Sequence, residues 1–576
     1  MHLDPSRQME GGESPNDARG TAGMFRELRV QCVVLLVCWV ITLWFHWGND
    51  GIWFQGDSPR HALNAVFFLD VAKEGLADPI EYARHYYTRY PAITPQSYPP
   101  LFYLMLGSGF AVFGVSGLIG KLLVQGFALL LGAYTLVGFR RWISLDAGFV
   151  AGLVLLMPGI MQWSGAVMLN VPAMALGVAS LFHLRCVLDQ PDNGRDYKHF
   201  CAALVFAALS IATHPTVGVV IPIAASWLVL DRRWRCFLNF RVLAVVVSCI
   251  LLCGTLYWLL FRMSPSQFSQ SGVSMTRAAS VVWPDFYFRA VPSLIGWWSL
   301  PGVLAGLVWT LMIPQFRKDT IRLVVAAGIT FTLLQSIWAR DERYLLWACP
   351  AAAWFIAHAF IATTRIKAFA RYKRVAWGIP VFGLLAYSIY FVSITKDKLS
   401  KSVNGFAKVA ENIIRIAPGE PVLYHGTYDG TLVFYLRSFD ENFQQQVVLV
   451  RKLNLRPEES EEENQMQWLA DEARRWKNKT AINEKWLSEE LDRTQCRWLL
   501  VEEPNGDQKD SLTQALLKVV ESEAYELAKV FKVDMKTQTR KIRLYRKRLP
   551  EGAVSGPASF VPMEFEGRIY PPVDAR

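Results

Sequence analysis

A chain of 576 residues that is 52% hydrophobic, with a mean hydropathy of +0.21 and 21 tryptophans, is too apolar for a soluble globular protein. It reads as a polytopic membrane protein with room for one further domain. The formal net charge of +11 would suggest nucleic acid in a soluble protein, but much of the Lys and Arg sits in short clusters between apolar runs, where it sets topology, so no nucleic-acid partner is expected.

Residues 1–23, rich in Gly, Ser, Asp and Pro, are expected to form a disordered cytoplasmic tail. Arg26 and Arg29 then precede the apolar run 30–47. A signal peptide is rejected, because Trp44-Phe45-His46-Trp47 is bulky where a peptidase needs small residues. The run is read as a signal anchor with its N-terminus in the cytoplasm. With those arginines inside, counting 101–115 as a full span would put Arg140-Arg141 outside; a surface or re-entrant helix there restores agreement. Spans then follow at 118–139, 147–163, 165–187, 200–213, 215–230, 242–261, 292–313, 321–338, 345–363 and 375–394, about eleven with the first. The expected architecture is a polytopic α-helical membrane domain over 24–394, with its first outer loop at 48–100.

From 395 to 576 a small extracytoplasmic α/β domain is expected. Val422-Leu423-Tyr424, then His425-Gly426-Thr427-Tyr428-Asp429-Gly430 and an apolar run, read as strand, turn and helix. Segments 497–501 and 540–545 are further strand candidates, and 458–479 a charged helix. The turn lacks the spacing of either phosphate-binding glycine motif, so no nucleotide is assigned to it. The nine cysteines show neither metal spacing nor a disulfide framework.

Uncommon residues collect in the outer loops. Asp57 lies between Gly56 and Ser58-Pro59, which fix a turn, and 60–72 look helical with Ser58 as the N-cap. A carboxylate at a helix start near a low-dielectric surface can be held as a base or a metal ligand; the ordinary alternative is that it only caps the helix. Arg340, Asp341, Glu342, Arg343 and Tyr344 form a second cluster, whose arginines can grip a phosphate in bidentate fashion. Internal ion pairing with Asp341 or Glu342 is the ordinary reading of each arginine, and snorkelling is that of Lys121. The lone His214, before Pro215, is read as structural. Neither a Ser-His-Asp arrangement nor an ATP-binding motif is present in the sequence.

The order of these motifs resembles the GT-C superfamily of integral-membrane glycosyltransferases, in particular bacterial relatives of protein O-mannosyltransferases and of aminoarabinose transferases for lipid A. The likeness, over roughly 24–394, rests on Gly56-Asp57-Ser58-Pro59 soon after the first span, Tyr98-Pro99-Pro100-Leu101-Phe102-Tyr103 opening the surface helix, and Phe113-Gly114-Val115-Ser116 before the second span. Arg140-Arg141 and the late Glu342-Arg343-Tyr344-Leu345-Leu346 complete it. The resemblance implies a polyprenyl-phosphate sugar as donor, transfer with inversion on the outer face of a bacterial-type inner membrane, and a hydroxyl of a lipid, protein or glycan as acceptor. Asp57 would be the base; Arg60, His61, Tyr98, Lys121, Arg340, Arg343 and Tyr344 would bind substrate. Relatives carry an acid where this chain has Leu169-Asn170-Val171-Pro172, and some an acidic-basic pair where it has Gln96-Ser97-Tyr98. These departures weigh against a metal-bridged site and leave a divalent cation unassigned. The competing readings are a transporter or flippase of a lipid-linked sugar, and an inactive envelope scaffold.

Overall fold

The computed structural model describes residues 17–46, 57–74, 78–95, 97–189, 197–233, 239–263, 285–335, 341–364, 403–450, 484–494, 496–503, 511–522, 524–535, 538–548, 563–565 and 568–570, with isolated positions between 365 and 402. Helix α1 (Asp17–His46) begins inside the stretch expected to be a disordered tail. No proline follows Pro15 there, and an acidic first residue suits the positive end of a helix dipole. α1 runs antiparallel to α5 (Gly117–Trp142): Gln31 donates to the Leu145 carbonyl at one end (2.8 Å), and Lys121 to the His46 carbonyl at the other (3.0 Å).

Between them the described residues of the loop expected at 48–100 are largely helical. α2 (Asp57–Glu74) starts at Asp57 itself, so Ser58 is not its cap; the Ser58 hydroxyl is buried, with no hydrogen-bond partner among the described residues. α3 (Pro79–Arg89) follows, then α4 (Leu101–Phe113), the short apolar helix expected at 101–115. α4 lies close on α2 because Gly107 has no Cβ; one would sit 3.0 Å from the Ala65 carbonyl oxygen.

Two expected straight spans are broken. In place of 147–163 stand a 3-10 turn (Leu145–Val150), α6 (Leu153–Leu156) and α7 (Pro158–Ser164), bent by 57°. Met157 is driven extended by Pro158, which has no N–H to continue the ladder. After α8 (Asn170–Asp189), α9 (Tyr197–Ile211), a 3-10 turn (Pro215–Val219), α10 (Val220–Leu230) and α11 (Phe240–Met263), the expected span 292–313 is instead α12 (Asp285–Ile295) and α13 (Leu300–Met312), turned by 86°. The corner is Gly296 at φ +85°, where a Cβ would lie 2.3 Å from the Trp298 ring nitrogen. α14 (Pro314–Gln335) and α15 (Ala348–Thr364) end the helical domain; the expected span 375–394 lies outside the described residues. Among the described residues four helices are long and apolar enough to cross a membrane, or six if each bent pair is one span, and four more apolar helices are shorter.

The tail is a mixed six-stranded sheet in the order β1-β5-β6-β4-β2-β3. Its strands are β1 (Val403–Asn404), β2 (Val422–His425), β3 (Val447–Leu449), β4 (Trp498–Glu502), β5 (Tyr525–Met535) and β6 (Gln538–Lys547), with β4, β2 and β3 parallel. α16 (Phe406–Ile416) and α17 (Asp429–Phe439) cover one face; α18 (Glu484–Arg493) and α19 (Ser511–Val520) cover the other. The strand, turn and helix read at 422–439 and the strands read near 497–501 and 540–545 are all present, while the charged helix at 458–479 lies outside the described residues.

One contiguous set of buried side chains joins the membrane helices, the first-loop helices and the tail. α17 packs on α2, and Arg437 binds the Asp70 carboxylate through Nη2 at 2.7 Å and Nε at 3.1 Å. Tyr86 donates to the same oxygen (3.0 Å), Tyr90 to Asp440, and the Phe443 ring packs at a tilt against both Tyr86 and Tyr90. The tail therefore holds α2 and α3 in place. At the opposite end of the helical domain, Arg185 binds Asp189 and Asp319, and Arg322 bridges Asp319 and Asp231. A mostly apolar cavity of about 320 Å³ runs between the helices, lined by Arg185, Asp319 and Arg322 at that end and by Val291, Ile295 and Leu345 at the other.

Candidate active site

The tail-facing end of the helical domain brings together three segments far apart in sequence. Asp57 is the first residue of α2, and its carboxylate belongs in the first turn, where unpaired backbone N–H groups and the helix dipole favour negative charge. Arg343 sits in a 3-10 turn (Glu342–Leu345) capped by Asp341, whose carboxylate accepts from the Arg343 backbone N–H at 3.0 Å. The Arg343 guanidinium donates from Nη2 to Asp57 Oδ2 at 2.9 Å and faces Asp341 Oδ2 from Nε at 3.2 Å. It thus bridges two carboxylates, with Trp163 and Tyr344 flanking it at 5.7 and 5.6 Å from its carbon to the ring centres. The arginine is well shielded while the Asp57 side chain stays 39% exposed, so the carboxylate is the open side of the pair.

His61 follows Asp57 by one helical turn, buried, with Nδ1 2.9 Å from the Tyr103 hydroxyl. Its ring meets Tyr98 edge-on at 5.2 Å, Tyr98 lies 5.2 Å from His214, and His214 lies 5.9 Å from Tyr344. An unbroken row of rings thus leads from the Asp57 helix back to the Arg343 turn.

Burial alone would raise the Asp57 carboxyl, but the positive charges facing it, His61 when protonated, then Arg343 and Arg60, bring it below the usual carboxylate range. Burial pushes the His61 imidazole down to about 4, so His61 is uncharged at neutral pH and Arg343 supplies the lasting share of that effect. The site therefore holds an ionised carboxylate, a fixed guanidinium and neutral imidazoles.

Of the residues picked from sequence, Asp57, His61, Tyr98, Arg343 and Tyr344 converge. Arg60 is half-buried on the same helix and makes no hydrogen bond or ion pair among the described residues. Lys121 is buried and reaches the His46 carbonyl at the end of α1, so it does not snorkel as the ordinary reading had it; Arg340 lies outside the described residues. Arg343 fits both readings given to it, since it pairs with Asp341 as well as with Asp57. Trp163, Tyr103 and His214 were missed as site residues. Nothing local marks Trp163, Tyr103 was read only as part of the motif that opens the surface helix, and His214 shows its place only once Tyr98 and Tyr344 are seen against it. Asn170 opens α8 with a buried side chain whose Oδ1 has no hydrogen-bond partner among the described residues. No group of three or more His, Cys, Asp or Glu suited to a metal ion occurs among the described residues.

No protein-family model matches this chain, and no curated protein does. Solved structures do. ArnT from Cupriavidus metallidurans bound to undecaprenyl phosphate matches with a TM-score of 0.60 at 14% identity, over 90% of this chain and 97% of that one. The archaeal oligosaccharyltransferase AglB from Archaeoglobus fulgidus, in complex with an inhibitory peptide and a dolichol-phosphate, matches with a TM-score of 0.53 at 11% identity, over 82% and 69%. At these identities the likeness is one of fold: the chain shares the fold of ArnT, and the similarity extends over nearly the whole of both chains.

Proposed function

We propose that this protein is a membrane glycosyltransferase that moves a sugar from a polyprenyl-phosphate donor to an acceptor hydroxyl on the outer face of the membrane. The observation that carries the reading is the 2.9 Å pairing of Asp57 with Arg343, at the end of a GT-C fold where the tail also docks. The solved relatives of this fold were captured with undecaprenyl phosphate and with a dolichol-phosphate, which favours a lipid phosphate as the donor's carrier.

The chemistry is a single displacement. The acceptor oxygen bonds to the anomeric carbon as the bond from that carbon to the phosphate oxygen breaks, so configuration inverts. The acceptor proton passes to the Asp57 carboxylate, and the electron pair leaves on the lipid phosphate, whose charge Arg343 neutralises. Arg60, with no ion pair among the described residues, is a second cation for that phosphate. The apolar cavity, lined at this end by Leu345 next to Tyr344, is where the prenyl chain would lie. Arg343 already fills the space between Asp57 and Asp341, which leaves no open pair of carboxylates for a divalent ion, and no step here runs through a metal.

The test is incubation of purified protein with a polyprenyl-phosphate sugar and envelope acceptors. Release of free polyprenyl phosphate with a glycosylated acceptor supports transfer. Movement of the intact lipid across vesicles without bond cleavage would support a flippase and sink the enzyme reading.

A further inference from the structure

His214 stands in the site without a task in the mechanism above. It is 4% exposed and caps the 3-10 turn that opens at Pro215. Its Nδ1 accepts from the Thr216 backbone N–H at 3.2 Å and lies 2.7 Å from the Thr216 hydroxyl. A backbone N–H can only donate, so Nδ1 must be the acceptor and the neutral ring carries its proton on Nε2. That Nε2–H has no hydrogen-bond partner among the described residues. The ring packs between Tyr98 and Tyr344, and Tyr344 is the neighbour of the Arg343 guanidinium. Burial first, then the charges of Arg343 and His61, push the imidazole down to about 3, so it stays a neutral donor at physiological pH.

A fixed, uncharged N–H on a ring packed against Tyr344, the neighbour of Arg343, suits an oxygen that gains negative charge as a bond breaks, because such a donor strengthens with the charge and needs no reorganisation. We infer that His214 is a further catalytic residue, its Nε2–H donating to the phosphate of the lipid-linked donor and stabilising the departing phosphate oxygen. This inference rests on the lipid-phosphate reading of the site.

Two substitutions separate this role from simple capping. His214→Asn keeps an acceptor for the Thr216 N–H but has no donor at the Nε2 position; His214→Gln places an amide N–H near that position and gives up the cap. The measurement is binding of undecaprenyl phosphate to the full-length protein in detergent, with thermal melting recorded alongside. The expected result is His214→Gln within about threefold of wild type and His214→Asn weaker by about tenfold or more, as befits a hydrogen bond to a charged group. Wild-type binding by His214→Asn, or lost binding by a folded His214→Gln, overturns the inference; the second result decides alone if His214→Asn fails to fold. A wild-type protein that does not bind undecaprenyl phosphate sinks the lipid-phosphate reading itself, whereas binding that is blind to both substitutions sinks only the role of His214.

Discussion

Clusters of arginine and aspartate mark both ends of the helical domain, and they are built differently. At the end away from the tail, Arg322 is 3% exposed and Asp231 2%, each held by the other, with Asp319 and Arg185 extending the chain of pairs. At the tail-facing end the arginine is shielded, but its partner Asp57 is 39% exposed and lies beside two histidines that each have a ring nitrogen unpartnered among the described residues. The first cluster satisfies itself and fastens helices. The second keeps hydrogen-bonding capacity in hand, which is what a site that must receive a ligand requires.

The sharpest way to break this contrast is Asp57→Asn, which keeps the shape and removes the carboxylate. We expect transfer to fall about 10³-fold in kcat while the melting temperature stays near wild type; a fully active, folded Asp57→Asn would remove Asp57 from the chemistry. Arg343→Ala should cost about 10²-fold in kcat, and Arg343→Lys should recover only part of it, since an ammonium cannot bridge two carboxylates as the planar fork does. Steady-state kinetics on equal amounts of folded protein check both.

The other cluster should answer in the opposite currency of stability rather than rate. Arg322→Met removes the arginine shared by Asp231 and Asp319, which keep Lys318 and Arg185 as partners, and should destabilise by about 1–3 kcal/mol, with unchanged turnover per folded molecule, read from denaturation and activity together. Arg437→Met, which frees the far end of α2 from the tail, should sit between the two clusters: about a tenfold loss of kcat through a misplaced Asp57, with KM for the donor nearly unchanged.

The smallest effect is in pH. His61 and His214 have folded pKa values near 4 and 3, below the ordinary 6.5, so between those values the unfolded chain takes up protons that the folded one refuses. Their contribution is therefore complete above 6.5 and is lost as pH falls towards 4. Melting temperature should drop between pH 7.5 and 5, and the drop should be smaller in His61→Gln.

Asp57 and Arg343 could be picked from the sequence because a charged residue beside an apolar run is costly unless it is used. The strands at 422–425, 498–502 and 538–547 were legible for a similar reason, their apolar side chains alternating or clustering between turn residues. The breaks at Pro158 and Gly296 were missed because hydropathy records how apolar a segment is and not which way it points. His214 was passed over because a single imidazole carries no signal of its own; its meaning comes from rings on two other segments. The grip of Arg437 on Asp70 was equally hidden, since either residue alone reads as an ordinary surface charge.

That grip bears on how the protein is made. Asp70 waits for a partner 367 residues downstream and Asp57 for one 286 residues downstream, so the ribosome must deliver most of the chain before either contact can close. A nascent or truncated product would hold the early apolar helices yet lack both pairs, so the Asp57 site cannot be finished before the later segments have been made.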